Sequence, residues 1–505
     1  MENISDLDLL VNAHQPIIAI ESSEEERVRS ILQDLAARLE LPLFEWKATT
    51  GLRRLGTTDP LYETEKPEKA LKAALAMRTE ALYLFHDLDK FFGEAPILRA
   101  ARDIGEAFTE DRRSLILCAP EIEVPIDLKT CTAQIRLELP TLDELKELTV
   151  RTLKSLGAPQ RIKVELSLPE IEQLVAALRG MTLLEAQRVL MRAALDDLKI
   201  DHSDFQHILD HKKALIARDG VLELYPAETT LQQVGGLENL KSWLKTRGAA
   251  FSAEAKRYGL EPPRGLLLLG VQGCGKSLCA KAIAAEWGLA LLRLDAGALY
   301  DKYVGESEKN LRKSLQTAEA IAPCVLWIDE IEKGMSGREG SASDGGLSRR
   351  LFGSFLSWLQ DRKQPVFVAA TANDIASLPP ELLRKGRFDE IFFVDLPGDA
   401  ARRAILAVHL SRRRQDPARF DLGALSAACE GWSGAEIEAA IVSSLYAAFA
   451  DRRPLADQHV TAALGATVPL SRTCREQIDD LRAWARGRTV PADAPAPGRA
   501  APSAA

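Results

Sequence analysis

Residues 270 to 277 read Gly-Val-Gln-Gly-Cys-Gly-Lys-Ser, the pattern GxxxxGK[ST], set between the apolar run Leu266-Leu267-Leu268-Leu269 and the helix-forming stretch LCAKAIAAEW. Few short sequences restrict a fold as much. A strand that ends in a glycine loop and opens a helix aims several backbone N–H groups and the positive end of the helix dipole at one point, where phosphate oxygens fit. Gly270, Val271, Gln272, Gly273, Cys274, Gly275 and Leu278 frame that bend, Lys276 is placed for β- and γ-phosphates, and the Ser277 hydroxyl for Mg²⁺. Cys274 would be sensitive to oxidation only if its thiolate were stabilised there; we read it as a small side chain tolerated at a variable position.

The rest of the C-terminal half supplies matching parts in order. CVLWIDE at 324 to 330, VFVAATAN at 366 to 373 and EIFFVDLP at 390 to 397 are apolar runs separated by helical stretches, the pattern of a doubly wound parallel sheet. Such a sheet presents polar residues at the C-terminal edge of its strands. Asp329 would complete the Mg²⁺ shell there, Glu330 would polarise the attacking water, and Asn373 would orient the same water or bind the γ-phosphate. Arg384 and Arg387 flank a turn in LRKGRFD, which taken alone is a solvated basic loop.

The N-terminal half repeats the order with different chemistry: QPIIAI at 15 to 20, ALYLFHDLDKFF at 81 to 92, SLILCAP at 114 to 120, QIRLELP at 134 to 140, and the helical GMTLLEAQRVLMRAAL at 180 to 195. No glycine loop follows IIAI. The chain passes into Glu21-Ser22-Ser23-Glu24-Glu25-Glu26, where Ser23 and Glu26 have capping-box spacing, so that phosphates are repelled. Asp87 and Asp89 echo the acidic pair, as remnants or a capped strand end in preference to a metal site. His207 and His211, at i, i+4 near His202, are read as part of a solvated linker helix and not as zinc ligands.

The boundaries expected are a degenerate α/β domain without a phosphate loop at 1–140, a helical lid-like region and linker at 141–225, an active core at 226–398, a helical lid and C-terminal helix at 399–487, and a disordered Pro/Ala-rich tail at 488–505. Composition narrows the function. With 65 Lys+Arg against 73 Asp+Glu and a formal net charge of -8, the chain is poorly suited to neutralising nucleic acid. Seven cysteines without a CxxC pair fit a reducing cytoplasm. Neither a signal peptide nor a membrane-spanning run is expected.

Taken in order, Val234-Gly235-Gly236, GVQGCGKS, WIDE, TAN, LLRKGRFDE and SGAEI resemble an AAA ATPase module with the second region of homology, over about Val234 to Phe449. With RKGRFDEIFFVDLP and a degenerate copy in front, nearly the whole chain is similar to the hypothetical chloroplast reading frame family of AAA proteins. The resemblance implies tandem AAA-type P-loop sheets, each with a small helical lid, and an ATP- and Mg²⁺-dependent ring, a homohexamer, in which Arg384 and Arg387 reach a neighbour's γ-phosphate. It implies that Gly235, His409, Gly434 and Ala435 line the adenine and ribose, and that Tyr303, Val304 and Gly305 form a pore loop, against a buried tyrosine at a loop edge. The Gly- and Ser-rich run at 334 to 350 stands where a second pore loop would. One departure is SWLQDRKQPVF, which lacks the Asp-Gly-Phe-type relay between subunits. The expected activity is ATP-driven remodelling or translocation of a protein client; a nucleotide-dependent switch or scaffold that threads nothing is the alternative.

Overall fold

A computed structural model of the chain describes residues 2–57, 59–157, 163–164, 166–196, 198–201, 204–217, 221–227, 229–299, 304–335, 347–375, 378–384 and 386–493. The chain divides into two compact units, Met1–Ile208 and Leu209–Ala505. Among the described residues no helix is long and apolar enough to cross a membrane.

The first unit is built on β1 (Ile17–Glu21), β2 (Leu43–Lys47), β3 (Gly51–Arg54), β4 (Leu82–His86), β5 (Ser114–Ala119) and β6 (Thr132–Arg136), in the spatial order β3-β2-β4-β5-β1-β6. All neighbours are parallel except β2 and β3. The central strands are unbroken apolar runs because helices cover both faces, as a parallel sheet requires. Val28, Leu32 and Leu35 of the helix Glu25–Leu39 pack on one face, and the helices Pro67–Ala76 and Ala95–Ala107 pack on the other. Helices Leu142–Gly157, Leu168–Leu178 and Leu183–Asp196 follow, with a short parallel pair, β7 (Lys163–Val164) and β8 (Lys199–Ile200).

The expected capping box at Ser23 and Glu26 does not form. The helix starts at Glu25 with Glu24 as its cap, so Ser23 lies one residue outside, and it is the Ser22 hydroxyl that accepts from the Glu24 N–H at 3.0 Å. Glu24 is drawn inward instead: its carboxylate pairs with Arg27 at 3.2 Å and accepts from the Leu183 N–H at 2.6 Å. His207 and His211 lie on the helix Asp204–Ile216, whose Ile208 is buried. Among the described residues no group of three His, Cys, Asp or Glu could hold a metal; His202 lies outside them.

The second unit carries β9 (Leu222–Tyr225), β10 (Gly265–Gly270), β11 (Ala290–Leu294), β12 (Cys324–Ile328), β13 (Val366–Ala372), β14 (Glu390–Val394) and β15 (Val490–Pro491), in the order β15-β14-β10-β13-β12-β11-β9. Only β9 runs antiparallel to its neighbour. Two expectations are corrected here. β9 lies inside the stretch assigned to lid and linker, so the second sheet begins before residue 226. Residues 488 to 493 are not a disordered tail: β15 pairs with β14, and Ala492 is fully buried. A proline is tolerated there because an edge strand has one unpaired side.

The five parallel strands of the two sheets share one spatial order, β6-β1-β5-β4-β2 and β14-β10-β13-β12-β11. The later helices match too. A left-handed glycine, Gly180 (φ 87°) or Gly431 (φ 80°), precedes a Ser/Thr–Glu capping pair, Thr182–Glu185 or Ser433–Glu436. In the second unit the helices Asp399–Arg412, Leu422–Ala428, Gly434–Ala450 and Asp457–Gly465 form a small bundle around Leu410, Trp432 and Ile437.

Candidate functional site: a phosphate loop closed by a helical lid

β10 must end in glycine. Gly270 has φ 144°, and a Cβ there would lie 2.1 Å from the carbonyl oxygen of Val394 on β14. Gly273 and Gly275 take φ 77° and 88°, turning the loop so that the helix Lys276–Trp287 opens directly behind it. The loop also meets the lid, since the Ala435 N–H donates to the Gly273 carbonyl at 3.0 Å. Lys276 is buried and donates to the Gly270 and Val271 carbonyls, each at 2.8 Å. Burial pushes its pKa down to about 8, against the pull of Asp329, Glu330 and Glu332.

Parallel pairing of β12, β13 and β10 brings the acidic pair to the loop. The Ser277 hydroxyl donates to Asp329 Oδ1 at 2.7 Å, and the Thr371 hydroxyl donates to the same oxygen at 2.6 Å. Thr371 in turn accepts from the Glu330 N–H at 3.0 Å. Glu330 sits at φ 49°, and its carboxylate accepts from Asn373 Nδ2 at 3.0 Å and pairs with Lys333 at 2.5 Å. Glu332, buried behind it, accepts from the Asn373 N–H at 2.9 Å, and burial raises its pKa. Ser277 and Asp329 are hard oxygen donors whose 2.7 Å separation is close to an edge of an octahedron with bonds of about 2.0–2.1 Å, so the pair fits Mg²⁺.

A cavity of 390 Å³ lies over these groups, within the range of small-molecule sites. It brings together Gly235, the loop from Gln272 to Leu278, Asp329, Glu330, Asn373, His409, Gly434 and Ala435. Gly270 and Val271 stand behind it as acceptors for Lys276. His409 Nδ1 lies 3.4 Å from Glu438, and burial lowers its pKa. Cys274 is pushed up to about 12, mainly by burial, which agrees with its reading as an unreactive small side chain. Arg384, exposed, and Arg387, which donates to the Glu381 carbonyl, are not part of the cavity wall. Tyr303 lies outside the described residues, as does most of the run from 334 to 350; Val304 and Gly305 begin the helix Val304–Ile321.

Sequence reasoning missed Val234, Thr371, Ile405, Val408 and Glu438, which also line the cavity. Thr371 had a signal, a lone hydroxyl in the apolar strand VFVAATA two residues before Asn373. The aliphatic residues had none, because their role depends on how the lid folds back.

The first sheet holds a counterpart lined by different side chains. Its helix opens on Glu25, whose carboxylate takes Lys47 at 2.7 Å and lies 3.3 Å from His86 Nδ1. Matching His86-Asp87-Leu88-Asp89-Lys90 to Asp329-Glu330-Ile331-Glu332-Lys333 puts His86 in place of Asp329. His86 Nε2 lies 3.2 Å from Glu45, a buried carboxylate held down to about 2, first by His86 and then by Arg53. Asp87 keeps a left-handed φ of 54° and its ion pair to Lys90 at 2.5 Å, as Glu330 keeps Lys333.

Comparison with known families agrees with this geometry. Residues 266–396 match the ATPase family associated with various cellular activities (AAA). Residues 3–137 match the N-terminal domain, and residues 143–219 the second domain, of the SpoVK-like AAA ATPases. Fold, loop and lid thus define an AAA ATPase. Over 489 residues, 96% of this chain and 98% of the relative, it is 38% identical to the uncharacterized AAA domain-containing protein ycf46 of Pyropia yezoensis. That of Guillardia theta is 38% identical over 491 residues, 96% of this chain and 95% of the relative. The chain belongs to the ycf46 family of AAA proteins. It is also 32% identical, over 253 residues, to the cell division cycle protein 48 homolog of Archaeoglobus fulgidus, covering 48% of this chain and 34% of that protein.

Proposed function

We propose that the second unit hydrolyses ATP in a ring of identical chains and uses the cycle to rearrange a protein client. The observation that carries the reading is the linkage Ser277–Asp329–Thr371–Glu330–Asn373, which sets a metal-binding oxygen pair and a carboxylate side by side over the phosphate loop. Loop N–H groups and Lys276 hold the β- and γ-phosphates. Mg²⁺, held by Ser277 and Asp329, would neutralise phosphate charge. Glu330, oriented by Asn373, takes a proton from the attacking water as its oxygen bonds the γ-phosphorus and the bond to the bridging oxygen breaks, releasing ADP and phosphate. Gly235, His409, Gly434 and Ala435 enclose the base and ribose.

Arg384 and Arg387 stand away from their own chain's cavity, which suits a role on a neighbour's γ-phosphate; in related phosphoryl transfers such an arginine is worth roughly 10³–10⁵ in rate. The first unit is the degenerate copy, its nucleotide seat filled by Glu25, His86 and Glu45, and is left to structural or partner-binding work. All seven cysteines are free thiols, in keeping with the cytoplasm or another reducing compartment. Two measurements test the reading. Glu330→Gln should bind ATP normally while hydrolysis falls by roughly 10²–10⁴. Mixing a Lys276→Ala chain with an Arg384→Ala/Arg387→Ala chain should restore activity that neither has alone, and an inactive mixture would refute action in trans. Tyr303→Ala separates a threading machine from a switch or scaffold: only the former should lose work on its client while still binding ATP.

A further inference from the structure

The segment from Val490 to Asp493 does more than extend the sheet. β15 lies beside β14 with Phe392 opposite Val490, and the Ala492 N–H donates to the Phe393 carbonyl at 2.9 Å. From that edge the chain reaches the start of the helix Glu238–Gly248. The Leu240 N–H donates to the Ala492 carbonyl at 3.1 Å, and Asn239 Nδ2 donates to the carbonyls of Pro491 and Asp493 at 3.1 and 2.9 Å. The Glu238 N–H points at Asp493 Oδ1, 3.4 Å away. This helix has no side-chain cap from its own N-cap residue, Leu237, so the Asp493 carboxylate is placed to meet the positive end of its dipole.

The residues just before that helix are the wall of the nucleotide cavity. A Cβ on Gly236 would lie 3.1 Å from Asp493 Oδ2 on one side and 2.7 Å from Ala401 Cβ on the other. A Cβ on Gly235 would lie 2.6 Å from Ile405 Cγ1 and 2.8 Å from the Ile405 nitrogen. The turn Val234–Gly236 is therefore gripped between the lid helix Asp399–Arg412 and residues 490 to 493. Val234, Ile405 and Val408 give the cavity an apolar wall of the kind a purine ring takes, while the loop and Asp329 serve the phosphates.

We infer that the Asn239–Asp493 clasp is a positioning element for the base end of the nucleotide site, fixing the Val234–Gly236 wall and so setting affinity for ATP without taking part in the chemistry. This rests on the ATP reading above. The clasp is tested in the full-length chain with Asp493→Ala and Asn239→Ala, measuring the equilibrium Kd for ATP, steady-state kcat and KM, and thermal unfolding. Each variant should weaken Kd and KM by about five- to tenfold, the change expected from the net loss of about one hydrogen bond, at the Glu238 N–H for Asp493→Ala and at the Pro491 and Asp493 carbonyls for Asn239→Ala, with kcat within about twofold. Asp493→Asn, which keeps an acceptor oxygen, should recover most of the affinity. An unchanged Kd in both alanine variants overturns the inference. So does a fall of kcat alongside affinity, which marks a general loosening of the fold. A wild-type chain that binds no ATP overturns both this inference and the proposed function, and is distinguished from the first two outcomes by the wild-type Kd alone.

Discussion

Replacing Thr371 with valine isolates the hydroxyl that ties Asp329, the proposed Mg²⁺ ligand, to Glu330, the proposed general base. The residue is 1% exposed, and valine keeps nearly its shape, so the change removes hydrogen bonds with little change in packed volume. Two bonds are lost: the 2.6 Å donation to Asp329 Oδ1 and the 3.0 Å acceptance from the Glu330 N–H. A hydrogen bond to a charged partner contributes roughly 1.5–3 kcal/mol, and a buried N–H left without a partner costs about 1–3 kcal/mol. Asp329 retains Ser277, which offsets part of the first term, so the unfolding free energy should drop by about 3 kcal/mol. The kinetic consequence follows from Glu330. Its φ of 49° is a conformation that costs a non-glycine residue on the order of 1–3 kcal/mol, and the Thr371 contact is one of the bonds that hold it there. Displacing a catalytic group by about 1 Å can cost about 10²-fold, so kcat should fall by roughly 10- to 100-fold. ATP affinity should change by less than about threefold, a shift under 1 kcal/mol, because the loop and Lys276 are untouched. The assay is phosphate release at saturating ATP and Mg²⁺, with nucleotide binding measured in parallel. Thr371→Ser, which keeps the hydroxyl, should return kcat to within a small factor of wild type. A Thr371→Val enzyme with kcat within twofold of wild type, or a serine variant as impaired as the valine one, would refute the reasoning.

Three further outcomes concern titration at the loop. Lys276 is lowered from 10.5 to about 8 by burial, so between these values the unfolded chain carries a proton that the folded chain has lost, and stability of the nucleotide-free protein should rise with pH across that window. In the proposed function the phosphates are held by the charged form, so affinity for ATP should fall as pH rises through about 8; a Kd for ATP that stays flat from pH 7 to 9.5 would show that the lysine does not titrate there. Cys274, at about 12, holds almost no thiolate near neutral pH, so brief alkylation at pH 7.5 should leave ATP binding intact. Inactivation prevented by Cys274→Ser would contradict this.

The legibility of the sequence follows the length scale of each constraint. The phosphate loop is a local object: glycines where φ is positive, a lysine, a hydroxyl, a preceding apolar strand and a following helix lie close together along the chain, so residue order alone places each of them. Asp329, Glu330 and Asn373 are legible because parallel strands buried on both faces show as unbroken apolar runs, and their polar ends then stand out. β2, β3, β9 and β11 are not, because LFEWK, GLRR, LELY and ALLRL mix charge into runs of four or five residues and gain their place only by pairing with a neighbour. β15 is hidden more fully, since a Pro- and Ala-rich stretch has the composition of disorder and its pairing is made by backbone atoms alone.

The first unit shows why composition and order of elements do not settle chemistry. Five of its strands have the order of five in the second sheet, and its acidic turn has a left-handed carboxylate residue, Asp87 for Glu330, with a lysine three positions on. Yet Glu25 opens the helix where the second unit has Lys276, and His86 ends the strand where it has Asp329, so an imidazole set between two carboxylates stands at that place. His86 and Glu45 are buried there while Glu25 is half-exposed, and the His86 ring and Arg53 hold the Glu45 carboxyl well below the usual range. Arg53 and Lys47 then balance the carboxylates from the sheet's other strands. These side chains occupy, in the first unit, the place that the phosphate loop and Asp329 hold in the second. Movement driven by ATP would then originate in the second unit, where the lid rests on the loop through Ala435 and Gly273 and on the cavity wall through Ile405 and Gly235.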